Sequence, residues 1–160
     1  QNFALSFANS VDDVKRMREL CGPDACLISK IESRQGLANL PEIVEETDQI
    51  LIDRGDLSRQ VPLEKIPFLQ RRIISVGKAK KTPVFVATNL LESMIKTKSP
   101  TRAEVNDVAS TMLMGADGLV LAAETAIGAY PTDAVRMINS LIRQYDQWTP
   151  ESSFSDVLNS

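Results

Sequence analysis

The chain contains no histidine, and this absence excludes more chemistry than any other feature of its composition. Ser-His-Asp and Cys-His nucleophilic catalysis both need an imidazole, and so do zinc sites with histidine ligands. Any catalysis would therefore rest on carboxylates, lysine, hydroxyl groups, arginine and a bound hard cation. Oxygen ligands of this kind favour Mg²⁺ or Mn²⁺ over zinc.

Cysteine, net charge and long apolar runs are also scarce. Cys21 and Cys26 could in principle pair, but nothing else indicates a disulfide scaffold, so we expect reduced thiols and a cytoplasmic location. The net charge is only −3, with basic residues interspersed among acids, so we expect no nucleic-acid partner. The apolar runs have the length of strands and the first residues do not resemble a secretory leader, so we expect no membrane partner either.

The sequence does contain a regular alternation of apolar strand-like runs and helix-like segments. The five runs lie near residues 2–8, 25–30, 49–52, 83–88 and 118–122. The five helical segments lie near residues 10–20, 36–46, 62–81, 101–114 and 131–148. Such alternation predicts an α/β fold with parallel strands, covered on both faces or closed into a barrel. A closed barrel needs eight strand-helix units and roughly 250 residues, so five units predict an open sheet or part of a barrel.

Helix-start signals support these boundaries. Ser10 has the character of an N-cap, and Thr101 precedes Glu104 with the spacing of a capping box. We assign residues 1–148 to one α/β domain and residues 149–160 to a polar C-terminal tail.

Side chains able to do chemistry follow four of the five predicted strands. They are Lys30 and Glu32, Asp56, Thr88, and Glu124. The carboxyl ends of parallel strands share one edge of the sheet, so these groups are expected to converge. Glu32 and Asp56 are suited to holding Mg²⁺. Lys30 points to the same side of its strand as Glu32, where its charge can stabilise a developing negative charge.

The residues alone leave other interpretations open. Taken singly, each of these charged side chains fits a surface ion pair. Asp56, in the stretch Gln49–Ser58 (QILIDRGDLS), fits either a functional carboxylate or a turn or helix cap. Arg54 is better suited to stabilising that turn, by pairing with an acid, than to contacting a substrate. Met112 and Met114 most simply fill the core.

Five segments, taken in order, resemble the second half of the pyruvate kinase barrel. They are SKIES-x-x-G (Ser29–Gly36), DRGDLS (Asp53–Ser58), VATNLLESM (Val86–Met94), SPTRAEVNDVA (Ser99–Ala109) and GADGLVLAAETAIGAYP (Gly115–Pro131). Order and spacing match from about Phe3 to Met137, and the PTRAE-x-x-DVA run together with the KIE/RGD pair is highly specific. The resemblance implies that the strands are the fourth to eighth of a TIM-type (β/α) barrel, here a partial one.

The resemblance also implies a role for each candidate site residue. Glu32 and Asp56 correspond to two metal-binding carboxylates, and Lys30 to a lysine that stabilises the transferring phosphoryl group and the enolate. Thr88 corresponds to a threonine near the carbon that is protonated. The backbone amides of Gly55 and Asp56 match those that bind the pyruvate carboxylate. The implied reaction is phosphoryl transfer from phosphoenolpyruvate to ADP in glycolysis, with Mg²⁺ or Mn²⁺ and usually K⁺.

The chain departs from the family pattern in several places. We expect the family's first three strands, its lid domain and its C-terminal regulatory domain to be absent, along with its potassium ligands, and so expect little activity from this chain alone. Asp53 stands where the family usually has alanine. Left unpaired, that carboxylate would repel an anionic ligand, whereas pairing with a nearby Arg or Lys would keep the site usable. Asn89 replaces a usual glutamine, and Ala122 and Ala123 replace a usual Ser-Gly.

Three functions remain open on the sequence alone. The first is a pyruvate-kinase-like domain that binds Mg²⁺ with phosphoenolpyruvate or pyruvate and transfers the phosphoryl group within a completed barrel. The second is a lyase or aldolase acting through a Mg²⁺-bound pyruvate enolate. The third is a non-catalytic binding or assembly module. A five-stranded open sheet also has two unpaired edges, so we expect self-association or docking to a partner that covers them.

Overall fold

The computed structural model describes residues 1–159, which form two compact units. The first unit comprises Gln1–Thr88 and Met114–Val120, and the second comprises Asn89–Leu113 and the residues from Leu121 onward. No helix in the described part of the chain is both long and apolar enough to span a membrane.

The first unit is built on a parallel sheet. Its strands within residues 1–159 are β1 (Asn2–Leu5), β2 (Cys26–Ile31), β3 (Gln49–Asp53), β4 (Val84–Ala87) and β5 (Gly118–Val120). Each strand pairs in parallel with the next one along the chain, so the order in the sheet is β1-β2-β3-β4-β5. This sequential order is that of a (β/α) barrel, whereas a doubly wound sheet reverses its order at a switch point. The predicted α/β class is confirmed, with five parallel strands in an arrangement consistent with part of a TIM-type barrel.

The helices of the first unit connect these strands. They are α1 (Val11–Cys21), α2 (Arg34–Ala38), α3 (Leu40–Glu46), α4 (Arg54–Gln60) and α5 (Ile66–Lys80). Helix α1 begins as predicted, because the Ser10 hydroxyl accepts a hydrogen bond from the Asp13 amide and the Asp13 carboxylate accepts one from the Ser10 amide. These reciprocal bonds satisfy two donors that the first turn of a helix otherwise leaves without partners.

The helix predicted over residues 36–46 is two helices. Helix α2 ends at Ala38 and α3 begins at Leu40, with Asn39 in a non-helical conformation between them. Pro41 explains the break, because its ring would clash with the carbonyl of Leu37 in a continuous helix and it has no amide hydrogen to donate.

The charged residues after β3 begin a helix, where the sequence left open a turn or a helix cap at Asp56. Helix α4 begins at Arg54, directly after the strand, and Asp53 is its N-cap, accepting a hydrogen bond from the Asp56 amide at 3.4 Å. A 3-10 turn at Leu63–Lys65 then precedes α5, so the helix predicted from residue 62 begins at Ile66.

One face of the sheet forms the core of the first unit. Its almost fully buried side chains are Leu27, Ile31, Ile50, Ile52, Val84 and Val86. Side chains alternate along a strand, so Lys30, Leu51, Asp53 and Phe85 lie on the opposite face, where they are half-buried. The register pairs Lys30 with Leu51, and Asp53 follows two residues later on the same face. Strand geometry therefore brings Lys30 and Asp53 to the carboxyl end of one face.

The second unit carries the remaining helices. They are α6 (Arg102–Met114), α7 (Ala123–Ala126), α8 (Pro131–Gln147) and α9 (Phe154–Asn159). Its buried apolar side chains are Leu90, Leu91, Met94, Val108, Met112, Ala134 and Ile138, which agrees with a core role for Met112. Helix α9 falls within the predicted polar tail, 149–160, whose last residue, Ser160, lies outside the described residues.

Candidate functional site

A buried ion pair lies at the carboxyl end of β2. Glu32, one residue beyond the strand, is only 1% exposed, and its Oε2 accepts a hydrogen bond from the Phe7 amide at 2.5 Å. Its Oε1 lies 2.6 Å from Lys30 Nζ, but no other described group reaches that oxygen with normal hydrogen-bond geometry. A buried carboxylate oxygen with one ionic contact retains lone pairs that face the site and are available to a cation.

Asp53 joins this pair from the end of β3. Its Oδ2 lies 3.2 Å from Lys30 Nζ, so one ammonium group bridges two carboxylates. Burial alone would lower the pKa of Lys30, but the hydrogen bonds that Lys30 donates to Glu32 and Asp53, together with the attraction of their negative charges, outweigh burial and raise the pKa above its ordinary 10.5. Lys30 is therefore a fixed positive charge at neutral pH.

The second oxygen of Asp53 binds the residue after β4. Thr88 Oγ1 donates a hydrogen bond to Asp53 Oδ1 at 2.7 Å. Burial alone would raise the pKa of Asp53, but the hydrogen bonds from Thr88 and Lys30 and the charge of Lys30 together lower the pKa below its ordinary 3.8. Asp53 is thus paired with a lysine, which is one of the two alternatives that the sequence left open for it.

Thr88 has an unusual backbone. Its φ of 73° lies in the left-handed region, which a β-branched residue rarely adopts, so the conformation is strained. Arg54 braces it by donating hydrogen bonds from Nε at 3.1 Å and Nη2 at 2.8 Å to the Thr88 carbonyl oxygen. The Gly55 amide donates to Thr88 Oγ1 at 3.3 Å, and a side chain at Gly55 would crowd Thr88 Cγ2 at 3.1 Å.

Asp56 completes a group of three carboxylates. It lies in the first turn of α4, and its carboxylate is 3.3 Å from Nη1 of the exposed Arg59. One oxygen each from Glu32, Asp53 and Asp56 can be chosen so that all three lie within 4.8 Å of one another. Within this group Glu32 Oε1 is buried and accepts no hydrogen bond from a group other than Lys30. A close group of carboxylate oxygens fits the ligand preference of Mg²⁺ and Mn²⁺.

The structure brings together the residues that the sequence analysis selected. Lys30, Glu32, Gly55, Asp56 and Thr88 all lie at the carboxyl ends of β2, β3 and β4 in the first unit. Which of them bind substrate or metal stays a prediction.

One expectation, that Glu124 joins the other candidate residues, needs revision. Glu124 follows β5 in sequence but is buried in the second unit, where its carboxylate accepts hydrogen bonds from the Leu91 and Ala122 amides, so it is a structural group. Asp53 is not among the candidate site residues selected from the sequence, where only its pairing with an Arg or Lys is raised, yet it contacts both Lys30 and Thr88 directly. The register of β2 and β3 pairs Lys30 with Leu51 and so brings Asp53, two residues later, to the face that carries Lys30.

Known proteins resemble this chain over most of its length. The family model for the pyruvate kinase barrel domain matches residues 1–135. Pyruvate kinase of Thermotoga maritima is 41% identical over 148 residues, which are 91% of this chain and 32% of that protein. Pyruvate kinase of Dictyostelium discoideum is 45% identical over 144 residues, which are 88% of this chain and 28% of that protein. The chain therefore spans about a third of the length of the curated relatives it matches.

Proposed function

Because this chain belongs to the pyruvate kinase family, we propose that it carries the metal-binding and pyruvate-binding part of a site for phosphoryl transfer from phosphoenolpyruvate to ADP. The observation that carries the proposal is the contact of Lys30 with Glu32 at 2.6 Å, beside the grouped carboxylates of Asp53 and Asp56. A fixed cation next to a buried carboxylate oxygen without another hydrogen-bond donor suits a metal-bound anion as ligand.

The proposed metal ligands are Glu32 and Asp56. Glu32 is held by the Phe7 amide on one oxygen and directs the other into the site, so its position is set before any ligand arrives. Asp56 is fixed by the first turn of α4. A bound Mg²⁺ or Mn²⁺ would neutralise charge on the oxygen atoms of phosphoenolpyruvate or pyruvate. Potassium, usual in the family, is assigned to no residue of this chain.

Four further groups act on the substrate in this proposal. Lys30 Nζ stabilises the negative charge that develops on the transferred phosphoryl group and on the enolate oxygen. The phosphorus–oxygen bond of phosphoenolpyruvate breaks as a terminal phosphate oxygen of ADP bonds to phosphorus, and the resulting enolate takes a proton at its methylene carbon. The Thr88 hydroxyl lies on the path of that proton. The Gly55 and Asp56 amides bind the substrate carboxylate.

Metal binding is the first test of the proposal. We expect Mn²⁺ titration, followed by electron paramagnetic resonance, to give one tight site that weakens at least tenfold in Glu32→Gln. Glu64→Gln, a neutralised carboxylate at an exposed position, is the matched control and should bind Mn²⁺ as the unmodified chain does. Equal Mn²⁺ binding in all three proteins would contradict the proposed ligands and favour a non-catalytic module.

The reaction is the second test. A coupled assay with phosphoenolpyruvate, ADP and Mg²⁺ should detect little turnover by residues 1–160 alone, because the matched region is about a third of each relative. Exchange of the pyruvate methyl protons in D₂O reports on enolate formation, and it should be lost in Lys30→Met. Rapid exchange that needs neither ADP nor phosphate would favour an enolate lyase or aldolase instead.

A further inference from the structure

We infer that the Asp53 carboxylate occupies the position of a substrate carboxylate and thereby sets the specificity of the site, an inference that rests on the proposed function. The groups assigned there to the substrate are Lys30, Thr88 and the amides of Gly55 and Asp56. One carboxylate of the chain itself already engages three of them directly.

Asp53 contacts three of these four groups, and one of the three, the Asp56 amide, is assigned to the substrate carboxylate itself. Its Oδ2 is 3.2 Å from Lys30 Nζ, and its Oδ1 accepts from Thr88 Oγ1 at 2.7 Å and from the Asp56 amide at 3.4 Å. The remaining donor, the Gly55 amide, is linked through Thr88, whose Oγ1 accepts from it at 3.3 Å. An incoming carboxylate must therefore displace Asp53 from these donors or share them with it.

Displacement is opposed by the way Asp53 is held. It is the last residue of β3 and the N-cap of α4, so its backbone is fixed on both sides. Turning the carboxylate away from the site would give up the cap and the contact with Lys30. The native contacts of Asp53 thus compete with substrate binding, and any free energy spent on breaking them is subtracted from the affinity for the anion.

The negative charge of Asp53 also weakens anion binding, and this effect depends on the charge of the ligand. Glu32, Asp53 and Asp56 with Lys30 carry three negative charges and one positive charge, and a divalent cation brings this group only to neutrality. Removing Asp53 would leave one net positive charge with the cation bound. Repulsion by Asp53 grows with the charge of the ligand, so it disfavours phosphoenolpyruvate more than pyruvate. The same carboxylate strengthens binding of the cation itself.

Three substitutions separate the competition of Asp53 with the substrate from its structural role as a helix cap. Asp53→Ala removes the carboxylate and the cap. Asp53→Ser removes the negative charge but retains an N-cap residue, so helix α4 keeps its start. Asp53→Asn retains the size and an acceptor oxygen and removes only the charge. Circular dichroism melting checks that each variant is folded before ligand is added.

Calorimetric titration in saturating Mn²⁺ measures the effect on ligand affinity. Asp53→Ser and Asp53→Ala should bind phosphoenolpyruvate at least tenfold more tightly than the unmodified chain, with a smaller gain for pyruvate. Asp53→Asn should gain less than Asp53→Ser, because an amide still fills the position. Mn²⁺ alone, measured by electron paramagnetic resonance, should bind more weakly to all three.

The outcomes distinguish this inference from the function on which it rests. Unchanged or weaker phosphoenolpyruvate binding by a folded, Mn²⁺-binding Asp53→Ser variant would overturn the inference and leave the proposed function standing. Equal gains for pyruvate and phosphoenolpyruvate would overturn the charge argument for specificity. Failure of the unmodified chain to bind Mn²⁺ at all would overturn the proposed function and the inference with it.

Discussion

The guanidinium of Arg54 donates two hydrogen bonds, at 3.1 Å and 2.8 Å, to the backbone carbonyl oxygen of Thr88. Arg54 opens α4 and Thr88 directly follows β4, so one side chain ties the carboxyl ends of two neighbouring strands together. Thr88 is held at a φ of 73°, where a β-branched residue is strained. The bonds from Arg54 oppose relaxation of that strain.

Replacing Arg54 with lysine should therefore destabilise the first unit. Lysine keeps the positive charge but cannot present the two coplanar donors of a guanidinium. We expect the free energy of unfolding in urea to fall by about 1.5–3 kcal/mol, the contribution of hydrogen bonds from a charged donor. Arg16→Lys, an exposed position on α1, is the matched control and should change stability little. Equal stability of the two variants would show that the two hydrogen bonds from the Arg54 guanidinium are dispensable.

Substitutions at Thr88 separate the hydroxyl from the shape of the side chain. Thr88→Val has the same branching but leaves Asp53 Oδ1 and the Gly55 amide each without one partner. We expect a loss of about 1–3 kcal/mol for these unsatisfied groups, measured by urea denaturation. Thr88→Ser keeps the hydroxyl and removes the branching that makes positive φ costly, so it should be the more stable of the two. The reverse order would refute the importance of the Asp53 contact.

The sequence was sufficient to predict most of the scaffold of this site. Apolar strand-length runs, Ser10 and the Thr101 and Glu104 pair are local signals, and the structure has strands or helix starts at each of them. The break at Asn39 does not follow from the apolar pattern, which continues through Pro41 with helical spacing, although the proline itself marks the break.

Other features of the site depend on contacts that local patterns do not contain. The strained conformation of Thr88 is braced by Arg54, 34 positions away in the chain. The pairing of Asp53 depends on Lys30 and Thr88, which lie on two different strand ends. No residue near Thr88 or Asp53 in sequence indicates these interactions, so they became evident only with the register of the sheet.

Ionisation of Glu104 should make the stability of the second unit depend on pH. Its carboxylate accepts hydrogen bonds from the amides and hydroxyls of Ser93 and Thr101. Burial alone would raise the pKa of Glu104, but these hydrogen bonds outweigh it and lower the pKa below its ordinary 4.5. A carboxylate with a lowered pKa stabilises the fold above its unfolded pKa, and this contribution is lost as pH falls through the folded value.

Glu104→Gln tests that dependence. The variant should be less stable than the unmodified chain at pH 7, by about 1–3 kcal/mol for weakened hydrogen bonds to a charged group. The difference should shrink as the pH falls below 4.5, because the unmodified carboxylate becomes neutral too. A series of urea denaturations from pH 7 to pH 3 measures it. A difference that stays constant over this range would rule out the charged form as the source of stability.

Gly77 is a position in α5 where alanine should destabilise despite its better helix propensity. A Cβ there would lie 2.3 Å from Val84 Cγ2 and 2.8 Å from the Thr82 carbonyl oxygen, so α5 and β4 would have to separate. We expect the overpacking cost of about 1–3 kcal/mol to exceed the gain of about 1 kcal/mol from helix propensity. Thermal melting of Gly77→Ala measures this loss. Ser75→Ala, at an exposed position of the same helix, is the control and should be neutral or stabilising.

Self-association is the last prediction, and it follows from the edges of the sheet. Within residues 1–159, β1 pairs only with β2 and β5 only with β4, so each leaves one edge unpaired. Unpaired edges of parallel strands offer amide and carbonyl groups to another chain. We expect sedimentation velocity at micromolar concentrations to show an average mass that rises with protein concentration. A single species at the monomer mass of 17.6 kDa across a hundredfold range of concentration would contradict it.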